Sequence, residues 1–190
     1  MMKNALLFLT DVVFALIVYP LLLRFWMQVL RAPFRNPLGQ ALQALTNWIV
    51  KPLRKVIPGW FGIDFATLLP AVLFRWVWLV VEFAIVGAAL DGPFLLTLAA
   101  LTFVSLLKIS LYMLMGAVII QAILSWVAPD GPIAGVLNAL TFRFLRPFRR
   151  IIPPIGGQLD LSPLILVVLC QLMLLLPIAW LEQVLARGTV

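Results

Sequence analysis

The amino-acid sequence predicts an all-α membrane protein with about four transmembrane helices, arranged as two parallel repeats that each carry an interfacial amphipathic helix. Three observations predict it: a composition too apolar for water, four apolar runs of spanning length, and two basic linkers that match at a fixed offset. Of 190 residues, 64% are hydrophobic and 11% charged, and the mean hydropathy is +1.14. A soluble domain carries roughly 25% charged residues, and a chain of this size has too little interior to hide so much apolar surface. One membrane domain is expected, with repeat one at about 8–88 and repeat two at about 105–186.

The first run, 12–30, follows Lys3 much as a signal-peptide core would. No small-x-small cleavage site leads into a polar region, so it is expected to remain as a span. The others are 65–87, 109–127 and 164–185. Each meets the requirement of about 20 apolar residues for a hydrocarbon core of about 30 Å. Asp91, Gly92 and Pro93 mark a turn between the second and third runs. The 94–107 segment is short for a span, and no turn signal parts it from Ile109. It is expected to extend the third helix at its N-terminus.

Two linkers carry most of the net charge of +7. Arg24, Arg31, Arg35, Lys51, Arg54 and Lys55 are assigned to the first, and Arg143, Arg146, Arg149 and Arg150 to the second. Elsewhere Lys3, Asp11, Glu82, Asp91, Lys108, Glu182 and Arg187 nearly cancel. The positive-inside rule then places both basic linkers in the cytoplasm and both termini outside. It also explains the basic balance without nucleic acid.

Within each linker the apolar residues fall at helical spacing: Leu38, Leu42, Leu45, Ile49, Leu53 and Val56, then Ile133, Val136, Leu137, Leu140, Phe144, Phe148 and Ile151. Polar residues fill the gaps, so both segments are expected to lie in the headgroup plane. Arg54, Lys55, Arg146, Arg149 and Arg150 would then meet anionic lipid headgroups or a protein partner. Plain topological charge accounts for the same arginines without any specific ligand.

The linkers also match residue by residue. Leu42, Ala44, Leu45 and Thr46 recur as Leu137, Ala139, Leu140 and Thr141. Pro52, Arg54, Ile57 and Pro58 recur as Pro147, Arg149, Ile152 and Pro153, Gly62 as Gly157, and Asp64 as Asp160 after one insertion. An ordered match of Pro, Arg, Gly and Asp indicates internal duplication. An even number of intervening spans makes the copies parallel, related by an axis along the membrane normal.

The second copy reads NALTFRFLRPFRRIIPPIGGQLDLSP over 138–163. It resembles the YggT family of bacterial membrane proteins, with its YlmG relatives in cyanobacteria and chloroplasts, and the resemblance covers essentially the whole chain. The first copy departs from the pattern at Gly59-Trp60-Phe61-Gly62 and Ala66-Thr67, the second at Phe142-Arg143 and the extra Gln158. The resemblance implies an inner-membrane protein of loosely defined activity, associated with osmotic-stress tolerance, division or nucleoid organisation, or cytochrome-complex assembly.

Pro153, Pro154, Gly156 and Gly157 cannot continue a helix and are expected to turn the chain into the bilayer. Ser162 and Pro163 suit an N-cap and first turn. Asp64 and Asp160 stand before helix starts, where a carboxylate complements the dipole; alternatively each pairs with an arginine of its own linker.

Asp11, Glu82 and Lys108 fall at similar depth near the outer interface, where either Lys108 pairs with Asp11 or Glu82, or all three simply end the hydrophobic spans, partly hydrated. Arg75 lies about 16 Å into its span, where an arginine is expensive unless it faces protein or water. Its repeat equivalent is Gln171, and Glu82 lies seven residues on. Either a polar clasp joins the halves, or a pathway runs past Arg75 and Gln171. Trp26, Trp48, Trp60, Trp126 and Trp180 are expected as interfacial anchors, and Pro20, Pro70 and Pro177 as kinks.

No histidine, a single Cys170 in an apolar run, no paired carboxylates in one unit and no phosphate loop argue against an enzyme, a metal site or a cofactor. Two functions remain. One is a membrane scaffold or assembly protein holding anionic lipid, a protein partner or a second copy of the chain. The other is a small channel or transporter.

Overall fold

The computed structural model describes residues 1–59, 63–88, 90–127, 131, 133–151 and 160–187, with the side chains of Trp126 and Arg187 left out. The described residues form helices α1 (Met2–Val29), α2 (Pro37–Val56), α3 (Phe65–Val86), α4 (Gly92–Val127), α5 (Ala134–Ile151), α6 (Ser162–Met173) and α7 (Ala179–Arg187), with a π-helical turn, Leu174–Ile178, joining α6 to α7. Pro177 sits inside that turn and has no N–H to donate.

Four stretches are long and apolar enough to cross a membrane: α1, α3, Gly92–Ser125 of α4, and Ser162–Ala186. No more than 22% of each apolar window is buried inside the protein, and residues such as Leu16, Leu73, Phe103 and Leu175 point outward. A water-soluble bundle would cover such faces. Here the bilayer does.

The first helix begins ten residues before the expected start at Val12, and α4 absorbs 94–107 without a break. Asp91 Oδ1 accepts the Phe94 N–H at 2.9 Å, so the expected turn serves as the cap of α4. At 36 residues, α4 is about 54 Å long and must tilt or project beyond a core of about 30 Å. Gly87, at φ 93°, ends α3 in the left-handed conformation.

The short, amphipathic helices α2 and α5 occupy the linkers, as their periodicity requires. Asn36 caps α2 by accepting the Gly39 N–H at 2.8 Å, and Pro37 opens it. Their apolar sides are shared between protein and surroundings. Leu42, Thr46 and Val50 are buried, while Leu45, Trp48 and Val56 stay exposed. Leu21 of α1, Val50 of α2 and Ala66 and Ala71 of α3 form one core; Met115 and Val118 of α4, Leu145 of α5 and Leu166 and Cys170 of α6 form another.

Two further clusters join these units. Val18, Leu22 and Phe25 meet Trp78, Leu106 and Ile109, and Met27, Ala32 and Leu42 meet Val136 and Leu140 of α5. Trp26 takes part in this junction, donating from Nε1 to Ser110 Oγ at 2.9 Å. It therefore clasps α1 to α4. Trp48 and Trp180 are exposed as expected of anchors.

Candidate functional site

The basic end is built from two similar clamps. Arg54, in the last turn of α2, forms an ion pair with Asp64, the residue that precedes α3. Arg149, in the last turn of α5, pairs with Asp160 at 2.8 Å, just before α6. Each aspartate also receives a hydroxyl: Thr67 donates to Asp64 at 2.7 Å, and Ser162 donates to Asp160 at 2.6 Å.

Partial burial pushes both carboxyls up. The hydrogen bonds from Arg54 and Thr67 outweigh this at Asp64, and those from Ser162 and Arg149 outweigh it at Asp160. Both pKa values end below the usual aspartate range.

Of the two roles considered for Asp64 and Asp160, the pairing with arginine is thus formed, and Arg54 and Arg149 are occupied by it. Lys51, Lys55, Arg146 and Arg150 have no ion pair among the described residues and are exposed. The Ser162 expectation needs correction. Helix α6 starts at Ser162 itself, with Pro163 next, and the Ser162 hydroxyl donates to Asp160, so it is no N-cap acceptor. Pro153, Pro154, Gly156 and Gly157 lie outside the described residues.

Arg24 also moves. It belongs to α1, not the linker, and is buried at 4% exposure. Its Nη1 donates to Thr46 Oγ1 at 2.6 Å and Asn47 Oδ1 at 3.0 Å, pinning α2 against α1. In α4, Gln121 does the corresponding work, meeting Thr141 and donating to Asn138 at 3.2 Å. An arginine within the apolar run was the available signal, obscured by grouping it with its basic neighbours.

At the opposite end, an open cavity of about 560 Å³ is lined by Asp11, Tyr19, Arg75, Trp78, Glu82, Ser105, Lys108, Tyr112 and Glu182, among others. Counted along their helices, Asp11, Glu82, Lys108 and Glu182 all stand about 27–30 Å from the basic end. Depth brings them to one level; packing chooses the pairs. Lys108 donates to both carboxylate oxygens of Glu182, at 2.8 and 2.9 Å. The expected Asp11–Lys108 and Glu82–Lys108 pairs are not formed. Instead, Asp11 accepts from Trp78 Nε1 at 3.0 Å.

Arg75 sits deeper in the same cavity. Its Nε donates to Ser105 Oγ at 2.8 Å, its guanidinium lies 4.2 Å from the Trp78 ring centre, and Nη1 stands 4.0 Å from Glu82. The Ser105 bond ties α3 to α4, while Trp78 and Glu82 lie on α3 beside Arg75. Gln171 is exposed on α6, which does not touch α3, so no site joins Arg75 to Gln171. Glu182, Ser105 and Trp78 are the residues sequence reasoning missed; counting depth from Ser162 would have found Glu182.

No group of three or more His, Cys, Asp or Glu side chains able to hold a metal occurs among the described residues.

Comparison with known proteins gives two stretches matching one family profile, described as CCB3/YggT, at residues 3–85 and 100–181. The chain is 38% identical over 167 residues to the uncharacterized protein YggT of Escherichia coli K12, covering 87% of this chain and 85% of the relative. It is 40% identical over 167 residues to an uncharacterized protein of Vibrio alginolyticus, with 86% and 88% covered. An uncharacterized protein of Pseudomonas aeruginosa is 35% identical over 165 residues, with 86% and 83% covered. No solved structure matches.

Proposed function

This chain belongs to the CCB3/YggT family, and from that premise we propose that it is a scaffold or assembly protein of the bacterial inner membrane. Its two basic amphipathic helices hold anionic lipid headgroups or a protein partner at the cytoplasmic face. In this proposal the two units descend from one duplicated helix–linker–helix segment, lie parallel, and leave both termini outside.

The observation that supports it most is the recurring clamp. Arg54–Asp64 and Arg149–Asp160 each fasten an amphipathic helix to the start of the next span. This leaves Lys51, Lys55, Arg146 and Arg150 exposed along those helices. Clamped helices present a fixed basic face, as a docking surface needs, and phosphates at headgroup depth complement it. The proposal includes no enzymatic activity.

Lipid analysis of discs excised directly from membranes tests it. Phosphatidylglycerol and cardiolipin should be enriched around the protein over the bulk membrane. The enrichment should fall when Lys51, Lys55 and Arg150 are all replaced by glutamine. Bulk composition around the unaltered protein would overturn the proposal.

The charged cavity around Arg75 and Lys108 favours a second reading, a conduit for a small polar solute. Solute flux through proteoliposomes, abolished by Arg75→Gln in a protein that still folds, would select it over the scaffold.

A further inference from the structure

The loop after α1 contains a backbone feature that helix geometry alone does not require. Arg31 has φ 55°, the only positive value at a non-glycine among the described residues. It closes α1: Arg31 N–H bonds Gln28 O at 3.1 Å and Ala32 N–H bonds Met27 O at 2.8 Å. Glycine is the usual residue at this left-handed position. An arginine there carries backbone strain that glycine would relieve.

Arg31 opens onto a cleft of about 680 Å³ between the end of α1 and the side of α5. Arg143 and Arg146 line it from α5, one helical turn apart, together with Asn138. No aspartate or glutamate is among its described lining residues. This contrasts with Arg54 and Arg149, each neutralised by an aspartate.

The remaining walls are apolar, Val29, Leu30 and Phe142 among them. Further along these helices, a cavity of about 170 Å³ is lined by Leu23 and Trp26 of α1 and Leu140 and Phe144 of α5, with α4 supplying most of the rest of its wall through residues such as Leu111 and Leu114. The seam between the halves thus offers cationic donors at its mouth and apolar walls within.

We propose that this cleft binds one phospholipid, its phosphodiester held by Arg31, Arg143 and Arg146 and an acyl chain lying along the α1–α5 seam. Guanidinium groups match a phosphate's paired oxygens. The apolar seam favours a lipid over a soluble anion. The proposal deepens the lipid-holding face above by naming one stoichiometric site on it.

Native mass spectrometry of the full chain, after detergent exchange has stripped the loosely held lipid, tests the site. One phosphatidylglycerol per chain should be retained, with added phosphatidylglycerol binding in preference to phosphatidylcholine. Arg31→Gly should weaken that binding roughly tenfold while leaving the thermal midpoint unchanged or higher, because glycine suits φ 55°. The pair R143Q/R146Q should also weaken it, whereas the triple K51Q/K55Q/R150Q should not.

Equal loss in that triple variant, unaltered binding in Arg31→Gly, or no retained lipid would overturn the site. Saturable binding of inorganic phosphate alone, displacing the lipid, would overturn its assignment to phospholipid. An anionic lipid shell without a retained molecule sinks this site and leaves the scaffold proposal standing. A retained molecule within a shell of bulk composition does the reverse.

Discussion

Charged side chains in this protein are placed by depth and then assigned by contact. Lys108 shows the distinction. Its level along α4 is readable from its place 19 residues before Val127, yet Glu182 of α7 is its partner because α4 packs on α7. Arg75 likewise bonds to α4 through Ser105 and lies over Trp78, which lowers the cost of an arginine at that depth. The Arg–Asp clamps make an acid-pH prediction. Asp64 and Asp160 have pKa values lowered by folding, so they stabilise the fold fully above the unfolded aspartate value near 3.9. That stabilisation is lost as pH falls through the lower folded values. With Arg54 46% exposed, solvent screening limits each pair to about 1 kcal/mol or less. Thermal unfolding in detergent, followed down from pH 6, should show this loss, and D64N/D160N should flatten it. An unchanged acid slope in the double variant would count against the clamps.

At the scale of elements, amphipathic helices are positioned by their ends. Asn36 and Pro37 open α2 a few residues after the reversal at Arg31, and the first turn of α2 lies so close to the preceding loop that position 39 demands glycine. A Cβ added at Gly39 would meet Phe34 O at 2.5 Å and Phe34 Cα at 2.8 Å, both backbone atoms that cannot swing aside. Gly39→Ala should therefore destabilise the protein by about 1–3 kcal/mol. Gly116→Ala, where nothing lies within 4 Å, should be neutral or mildly stabilising. Comparing the two unfolding temperatures in one detergent checks both. The periodicity of α2 and α5 foretold their existence and bounds closely. It did not separate the side that packs on α1 and α3, through Leu42 and Val50, from the side that leaves Leu45 and Trp48 exposed. Both sides are apolar, and only the neighbours differ.

For the whole molecule, the prediction concerns sidedness. In a background with Cys170→Ala, single cysteines introduced by K55C and R150C should react with an impermeant maleimide from the same face of the membrane. Labelling from opposite faces would overturn the parallel arrangement and, with it, a shared basic surface. The amino-acid sequence by itself determined the solvent, the number of spans, the common level of Asp11, Glu82 and Lys108 along their helices and the basic character of the linkers. These follow from composition and from a rise of about 1.5 Å per residue, both properties of a single helix. Tertiary structure alone decided that Lys108 meets Glu182, that Gln171 stays away from Arg75, and that Arg31, Arg143 and Arg146 share one cleft. Depth runs along one helix and can be counted. Facing depends on how each helix rotates and which neighbour it packs against, and that is settled only when several helices bury their side chains together.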